Sequence, residues 1–463
     1  MKQRKQWNTT RRIVIVLLDV LVLQFSIYLS FLIKFKGNIP ERNFYTFEQS
    51  AIYVSIAFVL LNFLLGSYVF YNRLKGDILF NTVIGQFLIS LAIMIITFFG
   101  RWFAFPRSVL AISFVISVIL LSLYRIAVYQ LYLRFSPTKK VAVVGREDKV
   151  ASAIRNFDSD KNNRHKVVCG IVGDFTQNVS KIVDDVDIVY LADELPEGEK
   201  LAVYELVTRK EKKLFLPTTF ENLVMIRPNM MNFEDESIIE ASDFRINEEE
   251  DFLKRVFDIL VSLVLLVIAS PFMLITAALI KLTSPGPVIY KQTRITLDQR
   301  EFSILKFRSM SATAEAKSGP VLASSNDARV TTVGKYIRAL RIDELPQLIN
   351  VLRGDMSIVG PRPERPFFVD QFKAENPHYY LRHNVRAGIT GYAQVYGKYA
   401  SDYNSKLNFD LLYIKNYSLL LDMKILLQTI KILFDKVSSK GVDESEVAEK
   451  VDLSRLKEIE ILK

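Results

Sequence analysis

The sequence contains little of the chemistry that transition metals and disulfides require. Its 463 residues include one cysteine, Cys169, and three histidines, His165, His378 and His383. A single cysteine excludes an internal disulfide and a cysteine-built zinc or iron–sulfur cluster, and it fits a reducing compartment. The histidines form no H-E-x-x-H pattern. Any bound metal is therefore expected to be a hard cation held by oxygen ligands.

Apolar and basic residues, by contrast, are abundant. Half of the residues are hydrophobic, and the mean hydropathy of +0.19 is high for a soluble protein. Lys and Arg number 60 against 50 Asp and Glu, which gives a net charge of +10. Such an excess is typical of proteins that meet nucleic acid, a membrane surface or anionic substrates.

Four long apolar runs predict a transmembrane domain over residues 1–136. They cover residues 13–33, 51–70, 78–99 and 109–132, and each has the length that a spanning helix needs. The first run is too long for a cleaved signal peptide and lacks a small-residue cleavage site. Basic residues favour the two ends of the block and its second loop, so both ends are expected to face the cytoplasm. Asp19 and Arg125 are expected to snorkel or to pair.

Residues 137–222 predict a small Rossmann-like α/β module. The strand patterns "KKVAVVG", "KVVCGIVG", "DIVYLAD" and "KLFLPTTF" alternate with helical stretches, which indicates a parallel sheet. The turn "GREDKVA" offers one glycine where a dinucleotide fingerprint needs three. A structural or regulatory module is therefore favoured over a nucleotide site. Residues 223–250 are expected to be a linker or a hairpin.

The fifth apolar segment, residues 259–280, is long enough to span a membrane but predicts a bent, re-entrant helix. Basic residues flank both of its ends, so both ends prefer the same side. Ser270 and Pro271 lie in its middle, where proline removes a backbone hydrogen bond and kinks the helix. The Ser270 hydroxyl can satisfy a freed carbonyl. The alternative is a proline-kinked helix that crosses the membrane.

The stretch "RIDELPQLINVLRGDMSIVGPRP", residues 341–363, places two adjacent carboxylates among arginines. Apolar residues at 345, 348, 349 and 352 follow the helical period, so Asp343 and Glu344 are expected at a helix start. An aspartate there is most often an N-cap, but a helix start also favours anions and phosphate. Arginine suits bidentate phosphate contacts. The basic residues expected nearby are Arg338, Arg341, Arg353, Arg362 and Arg365, with Lys306 and Arg308 as further candidates.

Residues from about 252 to 432 resemble the polyprenyl-phosphate glycosyl-1-phosphate transferases, the monotopic superfamily that initiates bacterial glycans. The motifs that carry the resemblance are the Ser-Pro helix, "KFRSM", "DELPQL", "GDMSIVGPRP" and "GITGYAQV". The four helices and the α/β module resemble the enlarged exopolysaccharide- and capsule-initiating members. The expected fold is an integral membrane α + α/β protein, with a re-entrant helix and a mainly helical catalytic domain over 251–437 and a charged tail over 438–463.

The resemblance implies that a cytoplasmic UDP-sugar donates its sugar-1-phosphate to undecaprenyl phosphate and releases UMP. Asp343 matches the family's nucleophile, which forms a covalent phospho-sugar aspartyl intermediate, and Glu344 matches its partner as a base or metal-site residue. Mg²⁺ would bridge this dyad and the diphosphate. Ser270 and Pro271 match the break that brings the site to the bilayer surface. The substrate-binding positions implied are Lys306, Arg308, Arg338 and Arg362, together with Asp410, whose role is left open.

Two positions depart from the family pattern. Ala387 stands where proline is usual, and Thr296 stands where glycine is common; both are expected near the donor rather than at the dyad. Glucose or galactose is the expected sugar. The protein is also expected to form a homodimer in the bacterial inner membrane. Its catalytic domain is expected to be cytoplasmic, and no nucleic-acid partner is expected.

Two other functions remain open from the sequence. One is a membrane-anchored nucleotide-sugar dehydratase or epimerase, which would need an intact dinucleotide fingerprint. The other is a non-enzymatic scaffold for polysaccharide assembly, which would leave Asp343, Glu344 and the arginine-rich loop without a joint explanation.

Overall fold

The computed structural model describes residues 2–69, 74–102, 105–158, 164–241, 243–310, 329–397, 402–433 and 459–462. The chain forms two compact units. The first contains Met1–Pro217 together with Lys450–Lys463, and the second contains Thr218–Glu449.

The first unit begins with four long helices that cover the predicted apolar runs. Each is long and apolar enough to cross a membrane. Helix α1 packs on α4, and α3 packs on both α2 and α4. Leu23, Phe58, Ile89 and Leu121 form part of the buried core between them. The helices are Lys2–Lys34 (α1), Glu41–Leu64 (α2), Lys75–Phe99 (α3) and Arg107–Phe135 (α4).

A buried ion pair joins these four helices. Arg125 of α4 pairs with Asp19 of α1, and both side chains are shielded from solvent. The Arg125 guanidinium also donates to Asn62 of α2 at 2.8 Å and to Thr82 of α3 at 3.1 Å. Asp19 and Arg125 were expected either to snorkel or to pair, and in the structure they pair. A buried charge needs a partner of opposite sign.

A five-stranded parallel sheet completes the first unit, as the alternating pattern predicted. Its spatial order is the C-terminal strand, β2, β1, β3 and β4. The first four strands are Lys139–Val144 (β1), His165–Ile171 (β2), Ile188–Leu191 (β3) and Lys213–Phe215 (β4). The helices between them are Glu147–Asp158 (α5), Phe175–Ile182 (α6) and Glu197–Arg209 (α7).

An ion pair lies at the carboxyl end of β1. Gly145 follows β1 with φ +152°, and a side chain there would come within 3.0 Å of the Asp193 Cβ. Asp193 follows β3 and pairs with Arg146. This ion pair occupies the edge where sheets of this kind bind nucleotides. The observation agrees with the poor glycine fingerprint of the turn.

The fifth strand, Glu460–Leu462, comes from the far end of the chain and lies parallel to β2. The Val172 N–H donates to the Leu462 carbonyl at 2.9 Å. The sequence predicted only a charged tail over residues 438–463, so the strand is a correction. Ile459 and Leu462 pack against the two apolar faces of the module. A strand of three residues is too short to show an alternating pattern, so the sequence of this charged segment does not predict it.

The second unit begins at Thr218, before the segment expected to be a linker or hairpin, residues 223–250. It contains the helix Phe220–Val224 (α8) and a hairpin of Asn229–Phe233 (β5) and Glu236–Glu240 (β6). Leu223 and Phe244 are buried in the core of the second unit. The segment is therefore largely part of that unit rather than a free connection.

The fifth apolar helix, Glu248–Thr283 (α9), is helical through Ser270 and Pro271. The Ser270 hydroxyl donates to the Val267 carbonyl at 2.8 Å. This is the carbonyl that a residue other than Pro271 would bond through its N–H, so the predicted compensation is confirmed. The predicted bend stays a prediction.

The rest of the second unit is mainly helical around two small sheets. Strands Ile289–Ile295 (β7) and Glu301–Phe307 (β8) pair antiparallel, and Met356–Val359 (β9) and Ala387–Thr390 (β10) pair parallel. Leu348, Val351 and Leu411 lie in its buried core. The helices are Thr332–Ala339 (α10), Gln347–Arg353 (α11), Pro366–Glu375 (α12), Tyr392–Tyr396 (α13), Tyr403–Lys415 (α14) and Leu419–Leu433 (α15).

Candidate active site

The two adjacent carboxylates lie in a 3₁₀ turn, Ile342–Glu344, directly before α11. The chain enters the turn through Arg341, which has a left-handed φ of +54°. Pro346 is the N-cap of α11, and neither the turn nor the helix has a side-chain cap. The expectation that Asp343 caps the helix is therefore wrong. The dyad lies within the turn, and Leu345 and Pro346 separate it from the first residue of α11.

Glu344 is held by cations on three sides. Its side chain is 12% exposed, and the ion-pair distances are 3.3 Å to Lys306, 3.0 Å to Arg362 and 3.9 Å to Arg341. Burial raises the pKa of Glu344, but these cations outweigh burial and hold the pKa well below its usual range. Glu344 is thus ionised at neutral pH and ties β8, the turn and the loop after β9 together.

Asp343 has the opposite environment. Among the described residues, no hydrogen bond or ion pair occupies its carboxylate oxygens. Burial and the neighbouring Glu344 charge raise the pKa of Asp343 to about 6, against the opposing influence of Lys306, Arg338 and Arg362. Two adjacent carboxylates with such different environments are suited to different roles. The free, more basic one is the candidate nucleophile.

Besides Arg341, which pairs with Glu344, the structure brings three of the predicted basic residues to the dyad. Lys306 projects from β8, Arg338 from the end of α10 and Arg362 from the loop after β9. Arg308 instead donates to the carbonyl and hydroxyl of Ser284, at 2.8 and 2.7 Å. It therefore holds the connection between α9 and β7. Arg353 is exposed in the last turn of α11, the end away from the dyad.

Asp410, predicted among the substrate-binding positions with its role left open, is buried in an ion pair with Arg382 at 2.7 Å. The 3₁₀ helix Tyr379–Asn384 supplies Arg382, and α14 supplies Asp410. Asp410 raises the pKa of Arg382 against the effect of burial. Arg382 was missed in the sequence, because nothing in "LRHNVR" distinguishes a buried arginine from a solvated one.

The two departures from the family pattern contact each other. The Ala387 N–H donates to the Thr296 hydroxyl at 3.2 Å, and that hydroxyl donates to the Asp355 carbonyl at 2.7 Å. Proline at 387 would have no N–H to donate, and glycine at 296 would have no hydroxyl to receive it. Thr296 and Ala387 therefore form a buried hydrogen bond that connects the end of β7 to β10.

The residues at the dyad fit a Mg²⁺ ion that arrives with a diphosphate. Across the described ranges, no three His, Cys, Asp or Glu side chains cluster as a preformed metal site. Mg²⁺ commonly uses one or two carboxylates and takes its other ligands from water and substrate phosphates. The Asp343 oxygens, which no described residue engages, offer such a ligand, whereas the Glu344 oxygens are already engaged by cations.

Known proteins resemble this chain most clearly in the second unit. A family model described as "Bacterial sugar transferase" matches residues 249–436. A UDP-N-acetylgalactosamine-undecaprenyl-phosphate N-acetylgalactosaminephosphotransferase of Aeromonas hydrophila is 52% identical over 185 residues, which is 39% of this chain and 44% of that protein.

Two relatives named UDP-glucose:undecaprenyl-phosphate glucose-1-phosphate transferase also match. The Escherichia coli protein is 35% identical over 274 residues, 56% of this chain and 58% of its own length. The Caulobacter vibrioides protein is 43% identical over 190 residues, 40% of this chain and 70% of its own length. The chain spans about half the length of the Aeromonas and E. coli relatives and over two thirds of the Caulobacter protein.

Proposed function

The chain belongs to the bacterial sugar transferase family, and we propose that it transfers a sugar-1-phosphate from a UDP-sugar to undecaprenyl phosphate. The observation that carries the proposal is the Asp343 carboxylate, which has no bonded partner among the described residues, beside a cluster of cations held by Glu344. The names of the relatives supply the substrate class, since they combine a UDP-sugar with undecaprenyl phosphate. One relative is named an exopolysaccharide production protein, which favours a role in polysaccharide initiation.

In the first step, a carboxylate oxygen of Asp343 attacks the phosphorus atom that bears the sugar. The bond from that phosphorus to the bridging oxygen breaks, and UMP leaves with the electron pair. A sugar-phospho-aspartyl group remains on the protein. The cations near the dyad lower the repulsion between the carboxylate and the diphosphate: Lys306, Arg338 and Arg362.

In the second step, a phosphate oxygen of undecaprenyl phosphate attacks the same phosphorus and displaces the Asp343 carboxylate. The product is a sugar-diphospho-lipid, and the dyad returns to its starting state. Glu344 keeps Lys306 and Arg362 in place in both steps. Mg²⁺, when bound at Asp343 with the diphosphate, would neutralise further phosphate charge.

We further propose that α9 is re-entrant. A straight helix would separate Arg255 from Ile280 by about 37 Å, more than the thickness of the hydrocarbon core, about 30 Å. Yet Arg255 donates to the Val351 carbonyl of α11, and Ile280 shares a buried cluster with Phe307 of β8. Helix α11 packs directly on β8. Contacts from both ends of α9 to neighbouring elements support a bend near Pro271.

This arrangement supports a catalytic domain on the cytoplasmic face of the bacterial inner membrane. UDP-sugars are water-soluble, whereas undecaprenyl phosphate stays in the bilayer, so the dyad must lie at headgroup level. Protease digestion of a C-terminally tagged protein in sealed, right-side-out vesicles tests the topology. Protection is expected, and cleavage of the tag from outside would overturn the re-entrant arrangement.

The experiment that tests the reaction is UMP release with a panel of UDP-sugars and undecaprenyl phosphate. UDP-glucose and UDP-galactose are the expected donors. UDP-N-acetylgalactosamine is the second candidate, because the relative at 52% identity is named for it. A scaffold protein, or a dehydratase or epimerase, would release no UMP with any of these sugars.

The nucleophile is tested with Asp343→Asn, which should lower the UMP release rate by about a thousandfold or more. The matched control is Asp370→Asn, which changes an exposed aspartate of α12. Incubation with a labelled UDP-sugar alone should leave the label on the wild-type protein and not on Asp343→Asn. Full UMP release by Asp343→Asn would rule out the covalent aspartyl step.

We also propose that the protein forms a homodimer. The support is the β5–β6 hairpin, whose exposed side chains include Met230, Phe233 and Ile239. An isolated two-stranded hairpin is marginally stable in water, so a partner surface would stabilise it. The mass of the protein in detergent micelles tests this, and a monomer at micromolar concentration would contradict it.

A further inference from the structure

We propose that Arg382, held by Asp410, is a positioning residue that acts on the reaction through Arg362. The inference rests on the proposed function, because it assigns Arg382 a part in presenting Arg362 to the sugar-phosphate donor. Among the described residues, the hydrogen bonds of Arg382 and Asp410 do not include Asp343 or Glu344. Their influence passes through the backbone of the loop that carries Arg362.

That loop, residues 360–364, is fixed mainly through its carbonyl groups. It has the sequence "GPRPE", and its two prolines have no N–H to donate. Each of the four carbonyls from 361 to 364 accepts a hydrogen bond from another element. The donors are, in order, the Gly388 N–H at 2.9 Å, Arg382 at 3.0 Å, Arg294 at 3.0 Å and the Ile295 N–H at 3.1 Å.

Arg382 is held rigidly enough to fix its carbonyl partner. It is 4% exposed. Its Nε and Nη2 atoms donate to the Asp410 carboxylate at 2.9 and 2.7 Å, and its Nη1 donates to the Tyr379 hydroxyl at 3.0 Å. Nη2 also donates to the Arg362 carbonyl at 3.0 Å. The planar guanidinium makes all of these bonds at once, so Asp410 sets the position of the Arg362 backbone.

Arg362 needs such support because its own side chain is not enclosed. That side chain is 41% exposed, and its Nη2 donates to Glu344 at 3.0 Å. Packing therefore does little to place the guanidinium, and its reach toward the dyad depends on where the loop backbone lies. Displacements of about 1 Å at a reacting centre can cost about a hundredfold in rate. The Asp410–Arg382 pair is thus coupled to catalysis by one backbone hydrogen bond.

The test uses Arg382→Lys and Asp410→Asn in the full-length protein. Lysine keeps the charge beside Asp410 but cannot bond the carboxylate and the Arg362 carbonyl together. Both variants should lower kcat for UMP release by about 10- to 100-fold. The matched control is Arg255→Lys, which removes guanidinium bonds to the carbonyls of Val351 and Leu352, away from the loop. It should change kcat by less than about twofold.

A double-variant cycle separates positioning from general stability. If Arg382 acts through Arg362, then Arg382→Lys should change kcat little in an Arg362→Ala background, because the group being positioned is already absent. A merely structural role would give losses that multiply. Multiplied losses, or full activity in both single variants, would overturn the inference.

A second measurement is independent of turnover. Hydrogen exchange of peptides covering residues 360–365 should accelerate in Arg382→Lys and Asp410→Asn and stay unchanged in Arg255→Lys. Unchanged exchange in all three variants would show that Arg382 does not hold the loop. If the wild-type protein releases no UMP while the loop still loosens, the proposed function fails but the contact between Arg382 and the loop stands.

Discussion

Asp343 and Glu344 are neighbours with the same functional group, yet they are placed for different tasks. Cations surround Glu344 at 3.0 to 3.9 Å and keep it ionised. Asp343 lies in the same field of charge, but in the described part of the chain its oxygens have no bonded partner. Its nucleophilicity therefore depends on its own ionisation, which gives the reaction a measurable pH dependence.

We predict that kcat/KM for UMP release falls below pH 6 by about tenfold per pH unit. Burial and Glu344 raise the pKa of Asp343 to about 6, so the ionised form is lost as the pH falls through that value. An aspartate with its ordinary pKa of 3.8 would stay ionised far below pH 6. The measurement is the initial rate at low donor concentration between pH 5 and 8.

Arg338→Gln supplies the control for this pH profile. Arg338 lowers the pKa of Asp343, so its removal should move the midpoint of the profile to higher pH. A profile that stays flat down to pH 5 would contradict the assignment of Asp343 as the group that must be ionised. A midpoint that moves down in Arg338→Gln would contradict the electrostatic explanation.

A buried ion pair, and not apolar packing alone, attaches helix α9 to the rest of the second unit. Lys254 pairs with Asp422 of α15, and both side chains are at most 1% exposed. The Lys254 ammonium also donates to the Val359 carbonyl at 2.9 Å. Val359 ends β9, directly before the GPRPE loop, and the Tyr413 hydroxyl donates to the same carbonyl at 3.2 Å. The membrane helix is thereby attached to the strand that leads into the site.

We predict that Lys254→Met lowers the free energy of unfolding by about 3–5 kcal/mol, because it leaves the Asp422 charge buried without its partner. The double variant Lys254→Met with Asp422→Leu should recover most of that loss, since no charge is then left unpaired. Thermal unfolding in detergent measures both. Lys281→Met, at the exposed far end of α9, is the control. A double variant no more stable than Lys254→Met would contradict this prediction.

The C-terminal strand belongs to the first unit and pairs with β2. The strand Glu460–Leu462 covers the edge of β2, although about 290 residues separate the two in sequence. It also covers the chain's single cysteine, Cys169, which is 4% exposed. Burial, with a smaller contribution from Glu460, raises the pKa of the Cys169 thiol to about 11. The thiol is thus a reporter of whether the strand is in place.

We predict that Leu462→Asp increases the rate at which a thiol reagent labels Cys169 by about tenfold or more, because a charge placed against the apolar face of the module displaces the strand. Glu197→Gln, which changes an exposed glutamate of α7 in the same module, is the control. Labelling kinetics at pH 8 by mass spectrometry provide the measurement. Equal rates in Leu462→Asp and the wild type would show that the strand does not protect the cysteine.

Local patterns were sufficient to predict much of this architecture. Apolar runs of bilayer length predicted α1 to α4 and the long helix α9, and alternating strands predicted the parallel sheet. The resemblance carried by the motifs "DELPQL" and "GPRP" pointed to the dyad and to Arg362, and their roles stay predictions. These features depend on residues close together in sequence, so their signals are visible in the order of the amino acids.

Contacts between distant residues were beyond such patterns. Asp410 pairs with Arg382 across 28 residues, Ala387 bonds Thr296 across 91, and Lys254 reaches Asp422 across 168. Only the fold pairs Glu344 with the cations and, within the described ranges, leaves Asp343 without a bonded partner, because burial and charge at each carboxylate arise from several elements. An ionisable side chain acquires its role from the neighbours that folding places around it, and one-dimensional periodicity contains no information about those neighbours.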